Sequence, residues 1–336
     1  MLANSLTIGS RAVGGAASPY VIAEAGSNFD QSLDKAKKLI DVAAEAGADA
    51  VKFQLFRADA LQQPGTELHK VFKSVELNAD WVPALAEHSR AAGIHFLASP
   101  FDRGSVDVLE AVGVEAYKIA SSEAAKPDLV AYMAAKGKPI LLATGMCDFI
   151  DIEEAVATCL RAGNDKVALL QCGSVYPLPP EQANLRVMDV LAARYGGVVG
   201  YSDHTLGLAV PVAAVGRGAA IIEKHFTLDK TSSGPDHFYA LEPAELKQMF
   251  AMIREAHAAL GSPDKDLLPD ERKWGRRDGI YLARDVAAGQ SLGRDDLEVR
   301  SPALGIRARN LGDALKFRAR GHLVAGNPLT WEDLEP

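Results

Sequence analysis

The sequence predicts a (β/α)8 barrel followed by a small β-rich module. Three observations carry this expectation. Between residues 20 and 261, eight short apolar runs alternate with stretches of helical periodicity. Residues able to do chemistry gather where those runs end, as they do at the C-terminal face of such barrels. Past Gly261 the alternation stops and turn signals become frequent. A doubly wound open sheet is the competing architecture, but eight strand-then-helix units in succession favour closure.

Strands are expected at residues 20–24, 50–54, 95–99, 116–120, 139–143, 167–171, 198–201 and 220–224. They read as nearly continuous apolar runs, as strands covered on both faces do. The clearest helix is 32–47, with Leu33, Ala36, Leu39, Ile40, Ala43 and Ala44 on one face and Gly47 as its stop. Further helices are expected to begin near Asp80, Asp102, Lys126, Asp151, Asn184, Leu206 and Pro243. Two connections, 56–79 and 226–242, exceed the few residues usual for a βα loop. On a barrel both emerge at the active-site face; the plainer reading makes them variable surface insertions. The domain boundaries expected are 1–265 for the barrel, 266–277 for a charged linker and 278–336 for the module. Module strands are expected near 280–283, 297–300 and 319–323, with turns at Ala288-Gly289 and Gly326-Asn327. The module holds few large apolar residues, which favours docking on another surface.

The chain has 336 residues, 48% of them apolar, enough for a sizeable core. Its net charge of −8 argues against broad nucleic-acid or anionic-membrane binding. Cys147, Cys159 and Cys172 form no CxxC pair, which suits a reducing compartment. The first residues show no basic segment followed by an apolar one, and no apolar run reaches membrane-spanning length. A cytoplasmic protein without a membrane partner is the expectation.

The strand ends carry Glu24, Lys52 with Gln54, Ser99, Lys118 with Ser121 and Ser122, Thr144, Gln171, Ser202-Asp203-His204 and Glu223-Lys224-His225. Each has a dull explanation by itself. A lysine at a strand end pairs with a carboxylate, a lone histidine is a satisfied structural residue, and Cys172 is a packed thiol. Together they are different, because ionisable groups on one rim are costly to bury unless they bind something. Lysines supply point charges for phosphate or carboxylate, and hydroxyls complete an oxygen shell. His204 and His225 close successive strands, whose ends lie about 5 Å apart. Both imidazoles therefore reach one divalent ion and leave positions open for water and a substrate oxygen. Imidazole ligands do not choose among Mn, Co, Zn and Fe.

The motifs then fall in a recognisable order. Val-Ile-Ala-Glu-Ala-Gly from Val21 precedes Ala-Gly-Ala-Asp-Ala-Val-Lys-Phe-Gln from Ala46, Pro-Phe-Asp from Pro100, Tyr-Lys-Ile-Ala-Ser from Tyr117 and Thr-Gly-Met from Thr144. Tyr176-Pro177 and Asn184-Leu185 follow. Gly-Tyr-Ser-Asp-His-Thr-Leu-Gly from Gly200 and Ile-Glu-Lys-His-Phe-Thr-Leu-Asp from Ile222 are the most specific. This series resembles the sialic acid (nonulosonic acid) synthases, N-acetylneuraminate synthase-like, over nearly the whole chain. Ala-Arg-Asp-Val-Ala-Ala-Gly from Ala283 and Pro-Leu-Thr-Trp-Glu-Asp-Leu from Pro328 resemble the antifreeze-like (SAF) domain that ends bacterial members.

The resemblance implies condensation of phosphoenolpyruvate with an open-chain N-acetylated hexose, N-acetylmannosamine or a deoxy-diacetamido relative. Phosphate leaves by C–O cleavage. Carried over by residue, His204 and His225 hold a metal, Mn2+ by expectation, that polarises the sugar aldehyde. Lys52, Lys118, Ser121 and Ser202 bind the phosphoenolpyruvate anion, with Ser99 beside them. Glu24 is the acid or base, and Gln54, Tyr176, Glu223 and Asp236 hold the sugar. A domain-swapped homodimer is implied too, in which a tail arginine reaches the partner's barrel and touches the N-acyl group.

The chain departs from the family pattern in four places. Asn28-Phe29-Asp30-Gln31 replaces Asn-His-Asn-Gly, Ala143 replaces a frequent serine, and Ser174 an asparagine. Ser301-Pro302 replaces the tail's Arg-Pro. Arg300, Arg307 and Arg309 are the substitutes for that arginine, and Arg300 enters the candidate site. A one-residue shift on a strand, however, turns a side chain to the opposite face. Two rivals stay open: a Schiff-base aldolase of the same fold using Lys118 or Lys224, and a degenerate sugar-binding barrel, motivated by Ala143 and Ser301.

Overall fold

Nothing in the sequence reading anticipates how the chain begins. In the computed structural model, which describes residues 1–274 and 277–336, it opens with an antiparallel hairpin of β1 (Ser5–Ile8) and β2 (Arg11–Gly14). The barrel strands follow: β3 (Tyr20–Gly26), β4 (Ala50–Leu55), β5 (His95–Pro100), β6 (Tyr117–Ile119), β7 (Ile140–Ala143), β8 (Val167–Cys172), β9 (Val198–Asp203) and β10 (Ile221–His225). Every end lies within two residues of its expected place. The strands are hydrogen-bonded in parallel in the order β5-β4-β3-β10-β9-β8-β7-β6. The outer two, β5 and β6, are spatial neighbours, so the sheet forms a nearly closed barrel.

Helices alternate with the strands. The first, α1 (Leu33–Ala46), is capped by Ser32, whose hydroxyl accepts from the Lys35 amide, and stops at Gly47 in the left-handed conformation, φ 86°. Two short helices, α2 (Ala58–Leu61) and α3 (Glu67–Val75), occupy the long 56–79 connection. Then come α4 (Val82–Ala91), α5 (Arg103–Ala111), α6 (Ser121–Ala124), α7 (Pro127–Ala134) and α8 (Phe149–Arg161). Asp151, expected to start a helix, is instead the third residue of α8. It accepts from the Asp148 amide while Asp148 caps the helix, a reciprocal capping box. The outer layer ends with α9 (Val187–Tyr195), α10 (Ala209–Gly216) and α11 (Pro243–Leu260).

Strand alternation divides the side chains into two sets. Outward residues such as Val51, Phe53, Leu142 and Leu169 pack under the helices. Inward residues, among them Ile22, Leu97, Leu141, Leu170 and Ile221, fill the barrel with an apolar plug that Leu6, Ile8 and Val13 of the hairpin complete. Gly200 occupies an inward position between two of them. A Cβ there would stand 2.5 Å from Leu170 Cδ2 and 2.7 Å from the Ile221 carbonyl oxygen. Gly200→Ala should therefore cost about 1–3 kcal/mol of stability through overpacking, read as a lower urea midpoint at unchanged slope.

The chain divides into two compact units, Met1–Gly261 and Ser262–Pro336. Within the smaller, the stretch expected as linker carries α12 (Pro269–Trp274); Gly275 and Arg276 of that stretch lie outside the described residues. Strand β11 (Gly279–Leu282) pairs antiparallel with β12 (Leu297–Arg300). After α13 (Leu311–Ala314), β13 (Arg318–Ala319) pairs with β14 (Leu334–Glu335). The strand expected at 319–323 is thus shorter, and Leu323 joins Val286 by an isolated bridge. Few as its large apolar residues are, the unit closes a core of its own around Ile280, Leu282, Val286, Leu297, Ile306 and Leu329. Among the described residues no helix is long and apolar enough to cross a membrane, and all three cysteines are free.

Candidate active site

The inward series turns polar toward the C-terminal ends of the strands. On β3 it runs Tyr20, Ile22, Glu24; on β4 Ala50, Lys52, Gln54; on β10 Ile221, Glu223, His225. The same parity presents Ser99, Lys118 and Ser202 to one cavity, and Ser121, Tyr176 and His204 join it just past the strand ends. Ala143 lies in the same lining, so its missing hydroxyl is missing from the cavity.

Two lysines share one carboxylate at the floor. Lys118 Nζ lies 3.4 Å from Glu223 Oε1 and Lys52 Nζ 3.7 Å from the same oxygen. Ser202 Oγ donates to it at 3.0 Å. Lys52 Nζ also pairs with Glu24 Oε2 at 2.8 Å and donates to Ser99 Oγ at 3.3 Å. Gln54 Nε2 donates to Glu24 Oε1 at 3.2 Å. The two carboxylates differ in character. Burial pushes Glu24 up to about 7, against the pull of Lys52. Burial also penalises the Glu223 anion, but Lys118 and Lys52 outweigh it and hold Glu223 down at about 2. Glu223 is the standing counter-ion, and Glu24 changes state near neutrality. Glu223 Oε2 is buried without a hydrogen-bond partner, an acceptor suited to a ligand hydroxyl.

His204 and His225 face each other, ring centroids 5.4 Å apart. His204 Nδ1 lies 2.7 Å from the Gly173 carbonyl oxygen and must donate to it, which leaves the Nε2 lone pair free. His225 Nδ1 is 3.4 Å from the Tyr239 hydroxyl, which donates to Asp236 Oδ1 at 2.8 Å. Burial, then the neighbouring His225, lowers His204 to about 3, and burial lowers His225 to about 4. Both rings are neutral at physiological pH, the form that ligates metals. Among the described residues no group of three or more His, Cys, Asp or Glu could hold an ion. The donor set fits an open site, two imidazoles with the remaining positions left to water and substrate. Tyr176 covers His204 with a centroid distance of 4.1 Å. Cys172 lies against His204, and burial raises its pKa, so it stays a thiol.

Some rim residues turn away, for a reason of parity. Thr144, Gln171, Asp203 and Lys224 occupy outward positions. Thr144 Oγ1 donates to the Leu170 carbonyl and Gln171 Nε2 to that of Ala183. Lys224 Nζ pairs with Asp203 Oδ2 at 2.5 Å, both side chains sealed from water. Lys224 is thus a poor Schiff-base nucleophile for this cavity. Ser122 Oγ donates to Glu123 rather than to the site. Arg300 belongs to the smaller unit, where its guanidinium pairs with Glu298 at 2.9 Å.

Asp236 borders an adjoining cavity that it shares with Gln54. Its Oδ2 accepts from the Ser27 hydroxyl at 2.8 Å and the Ser27 amide at 3.1 Å. Asn28 Nδ2 donates to the Phe226 carbonyl, and Asp30 Oδ1 meets His237 Nε2 at 2.9 Å. The loop after β3 therefore fastens the long 226–242 loop and fixes Asp236. Phe29, where the resembled pattern has histidine, is buried against Phe53 and Trp81. Ser27 and Tyr239 went unnoticed in the sequence; the unusual length of the 226–242 loop was the available signal.

Fold and cavity together describe a (β/α)8 barrel whose C-terminal face holds two buried lysines on a shared carboxylate, beside two facing imidazoles. Residues 39–265 match the NeuB family and residues 277–335 the SAF domain. The chain is 37% identical to the N,N'-diacetyllegionaminic acid synthase of Legionella pneumophila, over 94% of each chain. It is 38% identical to the N-acetylneuraminate-9-phosphate synthase of Homo sapiens, over 86% of this chain and 85% of that one. The N-acetylneuraminic acid (sialic acid) synthetase of Leptospira borgpetersenii, solved in complex with citrate, aligns with a TM-score of 0.77 at 33% identity, over 81% of this chain and 95% of that one. The chain belongs to the NeuB family and ends in a SAF domain.

Proposed function

We propose that this enzyme condenses phosphoenolpyruvate with the open-chain form of an N-acetylated hexose, giving a nine-carbon sialic-type acid and inorganic phosphate. The observation that carries the reading is the pair of buried lysines, Lys52 and Lys118, held on one standing carboxylate beside the protonatable Glu24. The names of the Legionella and human relatives, both synthases of nine-carbon acids, support it.

In this reading Lys52 and Lys118 neutralise the phosphate and carboxylate of phosphoenolpyruvate, and Ser99, Ser121 and Ser202 donate hydroxyls to it. The added negative charge raises Glu24 further and keeps it protonated for the first step. C3 of phosphoenolpyruvate attacks the aldehyde carbon, a C–C bond forms, and the aldehyde oxygen takes the Glu24 proton. C2, left cationic, gains water, which gives a proton to the ionised Glu24. The C2–O bond to phosphate then breaks, the remaining hydroxyl proton leaves with phosphate, and C2 becomes the keto carbon. Glu223 Oε2, Gln54, Tyr176 and Asp236 hold the sugar. A divalent ion, Mn2+ by expectation, would be held by His204 and His225 and supplies Lewis-acid polarisation of a carbonyl oxygen. On the resemblance alone, the active form is a domain-swapped homodimer, which sedimentation velocity tests.

Phosphate release should require phosphoenolpyruvate, an N-acetylated hexose and Mn2+ together, and His225→Ala should lose it. Full activity of His225→Ala in metal-depleted buffer removes the metal assignment. No phosphate from any N-acetylated hexose removes the reaction.

A further inference from the structure

We infer that Tyr239 is a positioning residue for His225: its hydroxyl joins the Asp236 carboxylate to the imidazole Nδ1 and so leaves Nε2 free for the ion. The inference rests on the metal assignment in the condensation reading above. Tyr239 stands 14 residues past His225, beyond the reach of any count along a strand. The chain brings it back by backbone pairing. The Leu241 amide donates to the His225 carbonyl, and the Thr227 amide to the Leu241 carbonyl, each at 2.9 Å. Tyr239 is thereby laid edge-on against the imidazole just past the end of β10, ring centroids 5.2 Å apart, and it is buried there.

Two distances decide where the protons lie. The Tyr239 oxygen is 2.8 Å from Asp236 Oδ1 and 3.4 Å from His225 Nδ1. A phenol has one proton, and the shorter contact, to an anion, takes it. Toward His225 the same oxygen can then only accept, so Nδ1 carries the imidazole hydrogen and Nε2 keeps its lone pair. Among the described residues no other group hydrogen-bonds to the His225 ring. His204 reaches the same tautomer through a different partner, the Gly173 carbonyl. Both ligands thus leave the same nitrogen open, and each depends on its outer partner for it.

The carboxylate behind Tyr239 is itself fixed. Asp236 Oδ2 accepts from both the hydroxyl and the amide of Ser27. Three of the roughly four bonds a carboxylate accepts are thereby internal, which leaves one for a sugar hydroxyl. Gly26, at φ 54°, lets the end of β3 close on this group. A Cβ there would stand 2.7 Å from Asp236 Oδ2 and 3.2 Å from His225 Nδ1. His237, between Asp236 and Tyr239, is tied to Thr227 at 2.7 Å and to Asp30 at 2.9 Å. Phenylalanine at 239 would fill the same space, so the hydroxyl serves its two polar neighbours rather than the packing.

Nitrogen-15 NMR of metal-free, histidine-labelled enzyme should show His225 protonated at Nδ1 alone. Mn2+ would be titrated into full-length enzyme without phosphoenolpyruvate or sugar and followed by electron paramagnetic resonance. Tyr239→Phe should bind it about 10- to 100-fold more weakly than the parent, the usual worth of an outer partner of a metal ligand. The Mn2+ concentration for half-maximal turnover should rise by the same factor, while the KM for phosphoenolpyruvate stays unchanged and saturating Mn2+ restores most of kcat. Unchanged Mn2+ affinity in Tyr239→Phe, whatever its melting temperature, overturns the inference, because a hydroxyl that only pins the loop gives that result. Protonation of His225 at Nε2 in the parent overturns it too. A parent that binds no Mn2+ overturns the metal assignment itself.

Discussion

Glu24→Gln should lower kcat by about 10²–10⁴, the usual worth of a positioned general acid or base, and should remove the ionisation near neutrality from the pH–rate profile. The substitution keeps the size of the side chain and its contact with Gln54, and it leaves Lys52 within reach of Glu223. Stability should report the same group. Burial raises the native carboxyl to about 7 from its ordinary value of 4.5, so between those values the native state holds a proton that the unfolded chain has lost. Stability from this group is complete below 4.5 and is lost as pH rises through 7, by at most about 1.4 kcal/mol per pH unit. Glu24→Gln should flatten that slope in thermal melts. An unchanged slope together with full activity would show that Glu24 neither titrates there nor moves protons.

Asp203→Ala should destabilise the barrel by about 3–5 kcal/mol, because it strands the Lys224 ammonium in a sealed layer. Asp203 Oδ2 lies 2.5 Å from Lys224 Nζ, and Asp203 also accepts from the amide of Thr205 at 2.9 Å and from its hydroxyl at 3.2 Å. Burial already lowers the Lys224 pKa against the pull of Asp203, so loss of the aspartate should lower it further. Asp203→Ala with Lys224→Met should recover most of the loss, since replacing both partners removes the stranded charge. The double variant also separates two chemistries. His204 and His225 sit next in sequence on the opposite faces of these strands, so condensation should survive it at a reduced rate. Loss of all turnover in a well-folded double variant, with borohydride trapping in the parent, would return Lys224 to the role of nucleophile.

The barrel was legible because parallel strands covered on both faces must be apolar throughout, and eight such runs stand clear of their helices. The hairpin was not. Ser5–Ile8 and Arg11–Gly14 are four residues each, and only their packing with Tyr20 and Ile22 gives Leu6, Ile8 and Val13 a buried place. Within the site, position at a strand end collected the right neighbourhood but did not decide direction. Counting by twos from Ile22 on β3 or Ile221 on β10 separates Glu24, Glu223 and His225, which face the cavity, from Lys224, which does not. The same count on β9 turns Ser202 inward and Asp203 outward. Tyr239 and Ser27 escaped because their roles depend on how two loops meet. Asp236 gains both partners only when the loop after β3 closes on residues 226–242. Asp151 shows the local counterpart, since a capping aspartate three residues earlier moved the start of α8.

The account turns on phosphate leaving carbon rather than being transferred from it. Phosphoenolpyruvate labelled with oxygen-18 in its C–O–P bridge, turned over with an accepted hexose, makes that visible in one mass measurement. C–O cleavage places the label in the released phosphate, and the keto oxygen of the nine-carbon acid comes from water. Label retained in the acid, or a pyruvate adduct captured by borohydride on Lys118, would contradict it.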